Sequence, residues 1–213
     1  MTRRYSGTTF TDRERMVARQ LRRRGIHDEH VLAAMAEVPR ELFLPENQRR
    51  RAYRDGAVRI GEGQTMSQPW IVACMAQLLE LGGPEKVLEV GTGSGYGAAV
   101  LSRLCRTVVS IERYESLAVN AEQTLHELGY DNVVVVVGDG SRGAPEHAPF
   151  GGISVTATAR DEPPPALREQ LEPGAALVCP VERDGRELLM RFRDGEGEAI
   201  TGVRFVPLVT DEP

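Results

Sequence analysis

A run of glycines and three acidic residues stand out as groups that could bind a nucleotide-like ligand. Gly91, Gly93 and Gly95, with Thr92 between the first two, follow directly on the apolar run 87–90. Glycines at a strand-to-helix turn let the backbone curl tightly and let a ligand approach main-chain N–H groups. Glu112 follows about 20 residues later, where a carboxylate can accept hydrogen bonds from ribose hydroxyls. Asp139, next to Gly140, ends a third apolar run. A glycine turn alone marks only a tight connection. The turn, Glu112 and Asp139 at the ends of three successive strands mark the ligand edge of an open α/β sheet. Glu89 sharpens the ligand: an acid two residues before the first glycine can pair with the ammonium of a methionine moiety, and it would repel a pyrophosphate. The G-x-G-x-G spacing, followed by Tyr96, also departs from the dinucleotide pattern G-x-G-x-x-G. These residues favour S-adenosylmethionine as the cofactor.

The elements that must position these groups can be read from periodicity. Apolar runs at 87–90, 107–111 and 133–137 alternate with helical patterns at 96–104 and 115–128. Valine-rich runs without alternation suggest strands buried on both faces, as in a parallel sheet. Further strands are expected at 153–156, 175–181, 187–192 and 200–205, with an antiparallel hairpin over 182–198 whose turn signals are Asp184-Gly185 and Asp194-Gly195. The pattern is that of a doubly wound, Rossmann-like α/β domain. Upstream, Thr11 and Glu14 read as a capping box opening a helix that Gly25 stops. A second helix is expected over 28–37, and residues 40–68 read as irregular. Pro69 opens a third helix with Ile71, Val72, Met75 and Leu78 on its buried stripe. Residues 1–68 are thus expected to be a helical and loop subregion packing on a cofactor-binding domain of residues 69–213, within one compact unit.

The totals narrow the class. The 213 residues are 41% apolar and 27% charged, as in an ordinary globular protein. No apolar run suits a bilayer span, and the N-terminus lacks the apolar core of a secretory signal. Cys74, Cys105 and Cys179 are too few and too scattered for a disulfide framework or a zinc site. No metal is expected, and a cytoplasmic location is. Residues 1–59 carry 14 Arg against 8 acids, and the rest 12 basic against 23 acidic residues. The basic segment has no aromatic stacking cluster, so it is read as a solvated helical face with no nucleic-acid partner.

Over nearly the whole chain, about 13–208, the sequence resembles the protein-L-isoaspartate O-methyltransferase family. The most specific stretch is residues 60–69, Ile-Gly-Glu-Gly-Gln-Thr-Met-Ser-Gln-Pro, which is similar to the family's signature loop. Supporting blocks lie at 24–26, 38–41, 52–53, 90–96, 138–140, 155–157 and 205–208. The resemblance implies a class I methyltransferase fold and methylation of the free α-carboxylate of L-isoaspartyl residues. The ester then closes to a succinimide. It implies Ser67 as the active-site serine and Gln64, Thr65, Met66 and Val206 as substrate contacts. Glu89, Gly91, Thr92, Gly93, Gly95, Glu112, Asp139 and Gly140 would hold the cofactor. Its partners would be isoaspartyl-containing proteins and peptides, with no membrane partner and the chain a monomer. The chain departs from the family at Gly97, where Gln is frequent, at Gly151, where Asp is frequent, and at Thr158, where Ala is frequent.

An α-carboxyl is already ionised at neutral pH, with a pKa of about 3.3–3.7, so no general base is needed. The site must instead place a carboxylate oxygen in line with an electrophilic methyl and keep water out. Ser67 would then orient the acceptor; on the residues alone it could equally cap the helix that Pro69 opens. Two other acceptors stay open: one aspartate of a ribosomally made peptide, and RNA.

Overall fold

The valine-rich runs form the middle of a sheet because each has side chains to bury on both faces. In the computed structural model, which describes residues 8–211, β3 (Lys86–Val90) pairs in parallel with β4 (Thr107–Glu112) on one side and β6 (Phe150–Val155) on the other. Val87 packs with one apolar cluster and Leu88 with another on the opposite face, both fully buried. Such alternation requires cover on both faces. α4 (Tyr96–Leu101) and α5 (Glu115–Glu127) cross over between the parallel strands. The sheet order is β10-β9-β8-β6-β3-β4-β5, with the short β7 (Ala159–Arg160) beside β8. α6 (Pro165–Glu169) precedes β8. Among the described residues, no helix is long and apolar enough to cross a membrane.

Three expectations are corrected. β5 (Val133–Val137) is not buried on both faces; it is the sheet edge, and Val134 and Val137 are 44% and 52% exposed. Five valines favour a strand whatever its neighbours, so the run specifies the element and not its place. The antiparallel hairpin expected over 182–198 is present, within a three-strand meander of β8 (Leu171–Arg183), β9 (Arg186–Arg193) and β10 (Glu196–Gly202). β10 stops at Gly202 because the chain then turns away: the Phe205 N–H donates to the Glu187 carboxylate at 2.9 Å. Thr11 is not an N-cap, since α1 (Thr8–Met16) has already formed before it. A capping pattern is local and does not forbid an earlier turn. α1 runs on through a π-helical stretch, Val17–Leu21, and a 3-10 turn to Gly25 at φ 89°.

The third correction matters most for the site. Residues 40–68 are not irregular throughout. Two 3-10 stretches, Arg40–Phe43 and Glu46–Arg51, lead into an antiparallel hairpin of β1 (Val58–Gly61) and β2 (Gln64–Met66). Its turn places Glu62 and Gly63 at φ 49° and 70°, the left-handed pair of a twisted two-residue hairpin. Elsewhere the upstream expectations hold. The Asp28 side chain caps α2 (Glu29–Glu37), accepting from the N–H groups of His30 and Val31. Pro69 opens α3 (Pro69–Leu78). Val31, Leu32, Met35, Val38 and Phe43 bury themselves in the same cluster as Ala73, Met75, Tyr96 and Val100. The upstream residues therefore share a core with the helices that cover the sheet.

Candidate active site

The carboxyl ends of β3 and β4 converge on a cleft that continues into open solvent. Glu89 points along it from β3, only 2% exposed. Parallel register sets it beside Ser110 of β4. The Ser110 hydroxyl donates to Glu89 Oε2 at 2.6 Å and lies 2.6 Å from Thr92 Oγ1. Ser110 and Thr92 are buried as well. Burial pushes the Glu89 carboxyl up to about 8; the Ser110 bond opposes this, and the charge of Glu112 adds to it. A buried acid with a single donor is poised to take a cation.

The glycine turn is shaped by what stands around it. Gly91 has φ 96°, and a Cβ there would collide with Thr156 Oγ1, which donates to the carbonyls of Val90 and Gly91 at 3.0 and 2.8 Å. Gly97, at the start of α4, leaves room for Glu89 Oε1, which any Cβ would strike. The Gly93 N–H donates to Glu112 Oε2 at 2.7 Å, and the Tyr114 N–H to Oε1 at 3.0 Å. The acid of the second strand thus ties down the glycine turn and still borders the cleft.

The structure brings most of the expected residues together. Glu89, Gly91, Thr92, Gly93, Glu112 and Gly140 line this cleft, with Gln64, Thr65, Met66, Ser67 and Val206 closing it from the other side. Gly95 stands apart: it opens α4 and faces Ala121 and Leu125 of α5. The Asp139 side chain is not on the wall either. It accepts from the N–H and hydroxyl of Ser141 and from the N–H of Asp211, so it caps the turn that presents Gly140. Sequence reasoning missed Ser110 and Thr156. Neither sits in a motif, and only strand register places them against Glu89 and Gly91.

Ser67 is half-buried beyond the end of β2. Gln68, not Ser67, occupies the N-cap position of α3, and no side chain caps it. Among the described residues the Ser67 hydroxyl has no hydrogen bond, and its carbonyl accepts from Arg40. Opposite it runs the segment 205–208. The Thr158 N–H donates to the Val206 carbonyl at 2.8 Å, and the Leu208 N–H to the Thr158 carbonyl at 2.9 Å. The Thr158 hydroxyl donates to Glu187 at 2.9 Å, so this departure from the family's frequent Ala helps brace the segment. A second cleft, of about 1120 Å³, meets the first along Thr65, Ser67, Thr156 and Val206 and opens towards Trp70 and Phe205.

A doubly wound sheet with a glycine turn, a buried acid and a ribose-type acid at its carboxyl edge defines a class I, S-adenosylmethionine-dependent methyltransferase. Comparison with known proteins narrows the class. The family model for protein-L-isoaspartate(D-aspartate) O-methyltransferase matches residues 12–213, and the chain belongs to that family. It is 52% identical to protein-L-isoaspartate O-methyltransferase 2 of Pelobacter propionicus, over 94% of this chain and 91% of that protein. It is 49% identical to the Roseiflexus castenholzii protein-L-isoaspartate O-methyltransferase, over 94% and 93%. A solved protein-L-isoaspartate O-methyltransferase superposes with a TM-score of 0.80 at 32% identity; the match covers 92% of this chain and 65% of that longer one. A Plasmodium falciparum structure, described as a protein of this family in complex with S-adenosyl-L-homocysteine, shares the fold at a TM-score of 0.80 and 24% identity.

Proposed function

We propose that this protein transfers the methyl group of S-adenosylmethionine to the free α-carboxylate of L-isoaspartyl residues in damaged proteins and peptides. The ester so formed closes to a succinimide, whose hydrolysis returns some normal aspartate. The observation that carries the reading is Ser67: a hydroxyl with no hydrogen bond among the described residues, placed where the first cleft meets a second one open to solvent. Family membership supports the acceptor.

The bound cofactor supplies an electrophilic methyl on a sulfonium. Glu89 would hold the methionine ammonium and Glu112 the ribose hydroxyls. The backbone at Gly91, Thr92 and Gly93 would follow the cofactor's length, and Gly140 would border the adenine. Asp139 would act by capping that turn. Ser67 and Thr65 would each donate to one oxygen of the acceptor carboxylate and so aim the other. Gln64, Met66 and Val206 would flank the peptide and exclude water. An ionised carboxylate needs no base, so orientation and desolvation are the residues' whole contribution.

We read residues 1–68 as the part that supplies the acceptor loop and 69–213 as the part that binds the cofactor. A monomer in the cytoplasm fits three buried free cysteines. Ion pairs of Arg13, Arg15, Arg22 and Arg24 with Glu41, Asp12, Glu29 and Asp55 support a basic segment turned to the protein itself and not to nucleic acid. The test uses labelled S-adenosylmethionine and two peptides that differ only in Asp versus isoAsp. Base-labile label on the isoAsp peptide alone is expected; equal label on both, or none, refutes the reading.

A further inference from the structure

Among the described residues, the core holds one cation without a carboxylate partner. Arg40 is fully buried, and among the described residues it makes no ion pair. Its Nε donates to the Ala52 carbonyl at 2.7 Å and its Nη2 to the Ser67 carbonyl at 2.6 Å. The guanidinium lies over the Tyr96 ring, 4.7 Å from the centroid. Among the described residues its Nη1 is buried with no hydrogen-bond partner. The adjacent acid, Glu41, is engaged by the Tyr53 hydroxyl and by Arg13. Burial pushes the guanidinium pKa down, and the Tyr96 ring hydroxyl opposes this.

A buried charge with an unpaired donor costs stability, and an apolar side chain would fill the space at less cost. The reason for an arginine lies in what its planar fork touches. Ala52 leads into the β1–β2 hairpin, Ser67 ends it, and Tyr96 opens α4 directly after the glycine turn. Lysine has no rigid fork and could not hold two carbonyls and a ring at once.

We propose that Arg40 is the positioning residue of the active site: it clamps the Ser67 carbonyl against the start of α4, which fixes the Ser67 hydroxyl relative to the cofactor turn. With the carbonyl held, only rotation about the Cα–Cβ bond is left to the hydroxyl. The inference rests on Ser67 being the group that orients the acceptor.

The test is a double-mutant cycle between Arg40→Lys and Ser67→Ala, read as kcat/KM for the isoAsp peptide, with circular dichroism and S-adenosylhomocysteine affinity as controls. Arg40→Lys alone is expected to lower kcat/KM by about ten- to hundredfold and to change the affinity by less than about threefold. In the Ser67→Ala background the same change is expected to cost less than about threefold, because the hydroxyl it positions is gone. Equal losses in both backgrounds would make Arg40 a general structural residue and overturn the proposal, as would no loss in either. Arg40→Gln, which keeps one donor and removes the buried charge, repeats the cycle if the lysine variant does not fold. If neither variant folds, Arg40 builds the core and the proposal fails. Wild-type enzyme that does not distinguish isoAsp from Asp would instead strike the proposed reaction, so the two failures are separable.

Discussion

Between residues 87 and 112 the chain supplies one wall of the cleft from a strand, a glycine turn, a helix start and the next strand; Ser110 is hydrogen-bonded to Glu89 and Thr92, and Glu112 accepts from the Gly93 N–H. The opposite wall is assembled from afar. The β1–β2 hairpin brings Ser67, an arginine 27 residues earlier holds its carbonyl, and the segment 205–208 comes from near the C-terminal end. The first wall is made by neighbours in one sheet and is set once the strands pair. The second depends on packing of residues 16–60 against α3 and α4. Methyl-donor binding should therefore survive damage to the second wall, and acceptor use should not survive damage to either.

The largest expected effect breaks the first wall. Glu89→Gln removes the carboxyl proposed to ionise against the methionine ammonium and is expected to weaken S-adenosylhomocysteine binding by about 100-fold or more, read by calorimetry. The pH dependence sharpens the assignment. With its carboxyl raised to about 8, the free folded protein holds a proton that the unfolded chain has lost above about 4.3. The stability this group contributes is present in full below that lower value and is lost as pH rises towards 8. A cationic ligand wants the ionised form. Affinity is therefore expected to tighten by up to about tenfold per pH unit as pH rises towards 8 and then to level. In Glu89→Gln both slopes should vanish. A wild-type affinity flat from pH 6 to 8.5 would show that Glu89 is not the ammonium partner.

Ser67→Ala probes the other wall. It is expected to lower kcat/KM for the isoAsp peptide by about ten- to hundredfold, within the range for loss of one orienting donor. S-adenosylhomocysteine affinity should stay within about twofold of wild type. Loss of cofactor binding in this variant would merge the two walls into one unit and end the contrast.

The two walls also differ in how far they could be read from sequence. Gly91, Glu89 and Glu112 announce themselves because a parallel strand, a turn and the next strand must place them at one edge. The run 133–137 was legible as a strand, but its position at the sheet edge was not, because five valines suit either place. The hairpin of 58–66 escaped because Glu62-Gly63 is a weak turn signal and β1 and β2 are only four and three residues long. Ser67 could be named only through resemblance. Its loop has no periodicity, and its support, Arg40, stands in a block of the resemblance (38–41) whose residue types alone give it no role. Asp139 shows the opposite error: an acid at the right edge whose side chain the structure spends on capping its own turn.

Ser110→Ala is the next step down. It deletes the one side-chain donor to Glu89 among the described residues and leaves the carboxyl in place. Loss of a bond to a charged group is worth about 1.5 kcal/mol or more, so the affinity for S-adenosylhomocysteine is expected to fall about tenfold. Because that bond lowers the Glu89 pKa, the pH at which binding levels should move upward. A tenfold loss with no movement of that limb would mean that Ser110 acts on Thr92 and the turn, and not through Glu89.

Gly97→Ala has the smallest expected effect, and its two readouts should move in opposite directions. A Cβ at 97 would strike Glu89 Oε1. That oxygen is the far end of its side chain, so the carboxyl can turn aside without moving the backbone. Turning costs it part of its aim, and S-adenosylhomocysteine binding is expected to weaken by about two- to fivefold, well short of losing a hydrogen bond to a charge. The same change replaces a glycine inside α4, where alanine is favoured by up to about 1 kcal/mol, so the ligand-free protein should melt at a higher temperature. Weaker binding in a more stable protein would show that glycine stands here for the acid and not for the helix. A rise in stability with unchanged affinity would show that the cofactor wall tolerates a Glu89 that points elsewhere. The first wall would then be less rigidly specified than its hydrogen bonds suggest, and relatives with glutamine at this position would need no compensating change.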